Sequence, residues 1–203
     1  MKLGRDFYLR DGITVARELI GKILVHETPM GRRSGRIVET EAYLGKKDAA
    51  AHSYKGDPCG RTRIQYGQGG YAYIYMIYGV HYCMNVVANL PGEPEAVLIR
   101  ALEPLEGFAA GRRPDPKLCA GPGKLCAALE IGREQYGMDL CGDILYLEEE
   151  PSWQGEVGVS KRINVDYAGE AADYPYRFFL KGSPCLSLRE SSVRFRKYCL
   201  TTE

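Results

Sequence analysis

A strand-rich α+β fold in a single compact domain is what this sequence predicts, and three observations predict it. Its apolar runs are short, and several alternate with polar residues as half-buried strands do. Twenty-four Gly and 11 Pro punctuate those runs, so turns are frequent and elements short. At 203 residues, 45% hydrophobic and 26% charged, the chain has the length and composition of one well-buried core, and nothing in residues 1–203 resembles a linker between folded halves.

Taken in order, residues 11–21 read as a short helix. Asp11 or Thr14 caps it, Val15, Leu19 and Ile20 form its apolar stripe, and Gly21 stops it. Residues 23–26 are the first strand, and the Pro29-Met30-Gly31 turn leads back into a strand over 35–41, so the two form an antiparallel hairpin. In that second strand β-branched Ile37 and Val38 give way to Glu39, Thr40 and Glu41, which predicts a strand ending at a polar rim. Glu39 and Glu41 share a face by the period of two; on this stretch alone they suit solvated strand carboxylates better than chemistry. Residues 48–52 are too short to classify. Residues 54–70 are Gly-rich and polar and read as a surface loop, where Arg61 and Arg63 suit plain solvation or a grip on phosphate.

Residues 71–85 hold five Tyr and predict a β-hairpin. Alternation puts Tyr71, Tyr73 and Tyr75 on one face and Ala72, Ile74 and Met76 on the other; Gly79 supplies the positive φ of a tight turn and leaves Tyr78 at its tip. Tyrosines in strands are ordinarily a matter of sheet propensity, but a bulky aromatic at an exposed turn is harder to assign to packing. Residues 96–100 are a short apolar strand ending in Arg100, either its solvated end or a charge facing a polar cavity. Residues 121–131 read as a second helix entered through Gly-Pro-Gly and carrying Leu125, Cys126 and Leu129. Strands follow at 144–147 and 156–160, and a last pair at 177–180 and 185–188.

Several classes are excluded by pattern. No phosphate-binding G-x-x-x-x-G-K-[ST] loop, G-x-S-x-G elbow or dinucleotide fingerprint occurs, so no cofactor is expected. Seven Cys without a Cys-x-x-Cys pair, and three scattered His, lack zinc-site spacing and predict no metal. No run of signal-peptide or membrane-span length is present, which predicts a cytoplasmic protein with free thiols. Net charge is only +1, yet residues 101–160 carry 5 Lys and Arg against 11 Asp and Glu, while both flanks are basic. Nucleic-acid binding would rest on those flanks.

A carboxylate at a strand end, Tyr43 two residues on, His52, the tyrosine hairpin and loop arginines are parts for handling a flat base. With them the sequence resembles the alkyladenine type of 3-methyladenine (methylpurine) DNA glycosylase. The family segment E-T-E-A-Y occurs at 39–43, a downstream His at His52, Y-G at Tyr78-Gly79 and L-I-R-A-L-E-P at 98–104. Further matches at 121–125 and 177–184 extend the resemblance over nearly the whole chain. It implies a curved antiparallel sheet whose hairpin enters the minor groove of duplex DNA and flips a damaged purine out, with Tyr78 filling the gap and Val80 beside it. It also implies Glu41 as general base, Arg100 as its holder, Tyr43, His52 and Tyr75 as aromatic walls, Asn85 as a filter against undamaged guanine, Val157 as a backbone acceptor for the water, and Arg61 and Arg63 as DNA contacts. The expected enzyme is a monomer that leaves a plain abasic site. The loop departs from the family pattern: Cys59-Gly60-Arg61 replaces a Thr-Pro-Arg entry, Gln65-Tyr66 a Met-Phe pair, and Val80 a Met at the tip. Two alternatives remain open beside the glycosylase: a non-catalytic nucleic-acid-binding module with a tyrosine stacking platform, and a hydrolase of free nucleosides.

Overall fold

A thirteen-residue strand with different partners on its two halves organises the molecule. In a computed structural model, which describes residues 1–56, 58, 60–108 and 114–188, this is β2 (Gly31–Tyr43). Its first half pairs with β1 (Ile23–Thr28) and its second half with β8 (Arg177–Leu180), while β5 (Glu95–Glu106) runs along the other edge. The antiparallel sheet continues from β5 to β4 (His81–Ala88) and β3 (Ala72–Ile77), and from β1 to β6 (Leu145–Glu148); β7 (Val157–Ser160) pairs with β8. The result is the expected α+β architecture, a curled antiparallel sheet with few short helices.

Among the described residues three short α-helices accompany it: α1 (Arg5–Tyr8), α2 (Gly12–Glu18) and α3 (Pro122–Ala128). As read from sequence, α2 is capped by Asp11, whose side chain accepts from Thr14 N–H at 2.9 Å, and α3 starts with Pro as its first residue. Both pack on one face of the sheet, where Val15, Leu19, Leu125 and Leu129 meet Ile37, Val97 and Ile99 in the main core.

The other face carries the polar and aromatic groups, and two irregularities put them there. Ile37 pairs with Leu102, Glu39 with Ala101 and Thr40 with Ile99, so Val38 on β2 and Arg100 on β5 stand outside the regular register. Ile37 lies in the core and the Thr40 hydroxyl donates to the Ala16 carbonyl of α2. Val38 packs instead with Phe179 and Cys185, and Glu39 and Glu41 point the same way.

The structure corrects three expectations. Residues 185–188 form no strand; backbone N–H groups there are spent on side chains, Cys185 on Ser183 and Ser187 on Glu39, and β8 lies between β2 and β7 instead. The region read as surface loop contains a 3₁₀ segment, Gly60–Tyr66, that buries Thr62 and Gln65. The strand expected over 96–100 runs to Glu106. Among the described residues no helix is long and apolar enough to cross a membrane. Cys59 and Cys199 lie outside the described residues; the five cysteines within them are unbridged.

Candidate active site

Glu41 sits in the middle of the sheet, opposite Leu98 of β5 and Arg177 of β8, and is fully buried, as is Glu39. Neither is the solvated rim residue that the stretch alone suggests. One oxygen of Glu41, Oε1, accepts the Ile163 N–H at 2.7 Å. The other, Oε2, accepts the Tyr43 hydroxyl at 2.8 Å and Arg100 Nη1 at 3.2 Å.

Arg100 bridges the two carboxylates, because its Nε donates to Glu39 Oε1 at 3.2 Å. Glu39 is saturated from its own side by Arg177 Nε at 2.7 Å and by the Ser187 N–H and hydroxyl at 2.7 and 2.8 Å. The two buried Glu and two buried Arg thus balance in charge, which is the condition for keeping such charges buried. Arg177 is not singled out from sequence, and its pairing with Glu39 has no local signal.

Beside this network opens a small cleft whose walls include Tyr43, His52, Tyr73, Tyr75, Asn85, Gln65, Ala96 and Tyr167. The His52 ring stands edge-on to Tyr75 with centroids 4.6 Å apart, and Tyr73 lies 5.4 Å from Tyr75. Its Nδ1 is 2.8 Å from the Tyr73 hydroxyl. Although part of His52 is open to solvent, its ring is crowded by protein, and that burial, aided by the charge of Arg61, pulls its pKa down to about 4. Burial likewise pushes Tyr73 up to about 12 and raises Tyr75 and Tyr43. At neutral pH the walls are therefore uncharged aromatic surface. Asn85 turns its amide inward, donating to the Tyr73 carbonyl at 3.1 Å.

Tyr43 joins the two halves of the site: its ring lines the cleft and its hydroxyl touches Glu41. The Arg162 guanidinium fixes its position, lying over the Tyr43 ring at 4.8 Å and the Tyr176 ring at 5.3 Å while gripping Asp48 at 2.5 and 2.8 Å.

At the sheet's far edge, β3 and β4 project as the expected hairpin. The Ile77 carbonyl accepts the Val80 N–H, and both Tyr78 (φ 52°) and Gly79 (φ 71°) are left-handed, as a type I′ turn requires. Tyr78 is 86% exposed and Val80 69%, with Met76 also outward. Arg61 and Arg63 are exposed on the 3₁₀ segment, and Arg61 lies over Tyr75 at 5.5 Å.

The structure therefore brings Glu41, Arg100, Tyr43, His52, Tyr75 and Asn85 together on one face. It does not bring Val157 to them: in β7 it is Ser160 that is level with Arg177 and Glu41, whereas Val157 is level with Leu180 and lines a separate groove with Trp153. The backbone that meets Glu41 is that of Ile163. Tyr73, Gln65 and Tyr167 are cleft residues not singled out from sequence. Tyr73 was findable, since it shares the strand face of Tyr75; Tyr167, on a distant 3₁₀ segment, was not.

A buried carboxylate network, a cleft walled by aromatic rings and an outward hairpin thus belong to one curled sheet. Residues 6–184 match the model of the family described as methylpurine-DNA glycosylase. A protein of Clostridium acetobutylicum is 51% identical over 93% of this chain and 98% of its own length, and one of Desulfitobacterium hafniense 47% identical over 93% and 99%. A third, from Bacillus cytotoxicus, is 46% identical over 92% of this chain and all of its own length; all three carry the provisional name 3-methyladenine DNA glycosylase. The chain belongs to the methylpurine-DNA glycosylase family, and with it to the enzymes that hydrolyse N-glycosyl bonds in DNA.

Proposed function

We propose that this protein removes alkylated purines of the 3-methyladenine type from duplex DNA by turning the damaged nucleotide out of the stack and hydrolysing its N-glycosyl bond. Tyr43 carries the reading, because a ring on the cleft wall and a hydroxyl on Glu41 link a place for a flat base to a carboxylate.

Glu41 is the general base. A carboxylate offers about four lone-pair positions. Tyr43 and Arg100 occupy Oε2, and Ile163 takes one position on Oε1, so the remaining lone pair of Oε1 is the one left for water. The water, deprotonated as it attacks C1′, expels the purine, and the carboxylate stabilises the oxocarbenium-like charge of the transition state. Arg100 holds Glu41 in place. Among the described residues no lysine lines the cleft, and the expected product is a plain abasic site.

Methylation makes a purine cationic and electron-poor, and stacking against the tyrosines favours it by about 0.5 to 2 kcal/mol per face. Asn85 discriminates against undamaged guanine, whose exocyclic amine it would crowd. The exposed Tyr78 fills the space of the flipped nucleotide, with Val80 beside it; Arg61, Arg63 and the basic flanks hold phosphate. Neutral lesions such as hypoxanthine or ethenoadenine fit the same uncharged walls. The enzyme works as a monomer.

Incubation with duplex DNA carrying a methylated adenine, and separately with the free methylated nucleoside, tests the reading. Alkali-labile sites in the duplex and no release from the nucleoside are expected. Binding without release would reduce the protein to a nucleic-acid-binding module, and equal release from the nucleoside would make it a nucleoside hydrolase.

A further inference from the structure

We propose that the buried Asp48–Arg162 ion pair is a positioning device that sets the orientation of the Glu41 carboxylate, acting on one of its oxygens through Tyr43 and on the other through Ile163. The inference rests on the reading of Glu41 as the general base.

Asp48 and Arg162 are both buried and meet as a bidentate fork. Arg162 Nη1 donates to Asp48 Oδ2 at 2.5 Å and to the Ala42 carbonyl at 2.9 Å. Its Nη2 donates to Asp48 Oδ1 at 2.8 Å and to the Ala171 carbonyl at 2.9 Å. The carboxylate in turn accepts the Leu44 N–H on Oδ2 at 3.0 Å and the Ala50 N–H on Oδ1 at 3.1 Å. One planar pair thus joins the end of β2, the turn that leads to His52 and the 3₁₀ segment Asp166–Asp173. Such a fork has few alternative arrangements, whereas a buried ion pair adds little net stability over apolar packing of the same volume; what it supplies is geometry.

The geometry reaches Glu41 by two routes. The guanidinium lies over the Tyr43 ring at 4.8 Å and holds the carbonyl of the preceding residue, Ala42, and the Tyr43 hydroxyl donates to Glu41 Oε2 at 2.8 Å. Arg162 also precedes Ile163. Because the peptide bond is planar, its backbone sets the direction of the Ile163 N–H, which donates to Glu41 Oε1 at 2.7 Å. Among the described residues the remaining donor to Glu41 is Arg100, on Oε2. Turning the carboxylate would move the Oε1 lone pair left for water, and rates fall steeply with such displacements. Arg162→Lys keeps the charge but replaces the fork with a single point donor, and Asp48→Asn keeps the shape but removes one charge of the pair. Either change frees Tyr43 and Ile163 to shift.

The test reads the Ile163 amide proton by NMR in the DNA-free protein, together with single-turnover base release from a methylated duplex and binding to a duplex carrying an abasic site. In the wild type the amide proton should resonate at low field, and Glu41→Gln, with its weaker acceptor, marks the upfield reference. Arg162→Lys and Asp48→Asn are expected to move it toward that reference and to slow release by about tenfold or more, as misplacement of a reacting group does, with abasic-site binding unchanged because no base then occupies the cleft. In a Tyr43→Phe background, where one route is already cut, Asp48→Asn should slow release by a smaller factor than in the wild type. An unmoved Ile163 amide, an equal factor in both backgrounds, or abasic-site binding lost in step with release overturns the proposal. If neither variant folds, the wild-type Arg162 Nη signals decide: separately resolved Nη groups are expected of a locked fork, and averaged ones overturn it. A wild type that releases no base refutes the reading of Glu41 as general base, and the Ile163 amide still decides the positioning.

Discussion

At the scale of single residues, the two glutamates on one strand face have different work. Glu39 accepts from Arg100, Arg177 and both polar groups of Ser187, so it neutralises charges that would otherwise be buried alone. Replacing it with Gln should destabilise the fold by about 3 kcal/mol or more in denaturant titrations, because breaking a buried pair strands the partner's charge. Unchanged stability would mean that Arg100 and Arg177 are balanced by other groups. His52 gives a pH signature. Its folded pKa near 4 lies below the 6.5 of an ordinary imidazole, so the unfolded chain takes up this proton first. Its contribution to stability is complete above about pH 6.5 and is lost as pH falls toward 4. The His52 ring resonances should titrate near pH 4; an inflection near 6.5 would show that the ring is not desolvated. Glu41, Tyr43 and His52 stood out only through the family resemblance, since the stretch around Glu41 by itself suited a solvated carboxylate. The sequence hid Arg177 and Ile163, which reach the carboxylates from more than a hundred residues away.

At the scale of elements, the tyrosine hairpin was the most legible feature, since strict alternation and a Tyr-Gly turn leave little freedom. What alternation misses is that Tyr78 itself takes a positive φ, unfavourable for a bulky side chain. Tyr78→Gly relieves that strain, so melting temperature should hold or rise while affinity for abasic-site DNA falls. Equal affinity would remove the wedge role, and lower stability would show that the exposed ring is packed. β2 was legible only in part. Ile37 and Val38 announce a strand, but period two puts Ile37 on the face of Glu39 and Glu41, and in the structure the irregularity around Val38 separates them. Such a step depends on the partner strand β5, and no local propensity encodes it. The segment over 185–188 was misread for a related reason: its backbone is drawn off by Glu39, a residue far away in the chain.

At the scale of the whole molecule, one sheet separates two jobs. The face under α2 and α3 is apolar and holds the fold, and the opposite face collects the ion network, the aromatic cleft and the projecting hairpin. A net charge of +1 conceals an acidic middle between basic flanks. Affinity for duplex DNA should therefore fall about tenfold or more between 50 and 200 mM salt, as release of several phosphate counterions requires; a flat salt response would place binding elsewhere than on the phosphates. As proposed, Glu41 drives base release in a site that binds damaged DNA without it. The most direct measurement compares wild type and Glu41→Gln on one methylated duplex, following both binding and single-turnover release. Retained binding with release slowed by about 10²-fold or more is the predicted result, and release at the wild-type rate would contradict the account.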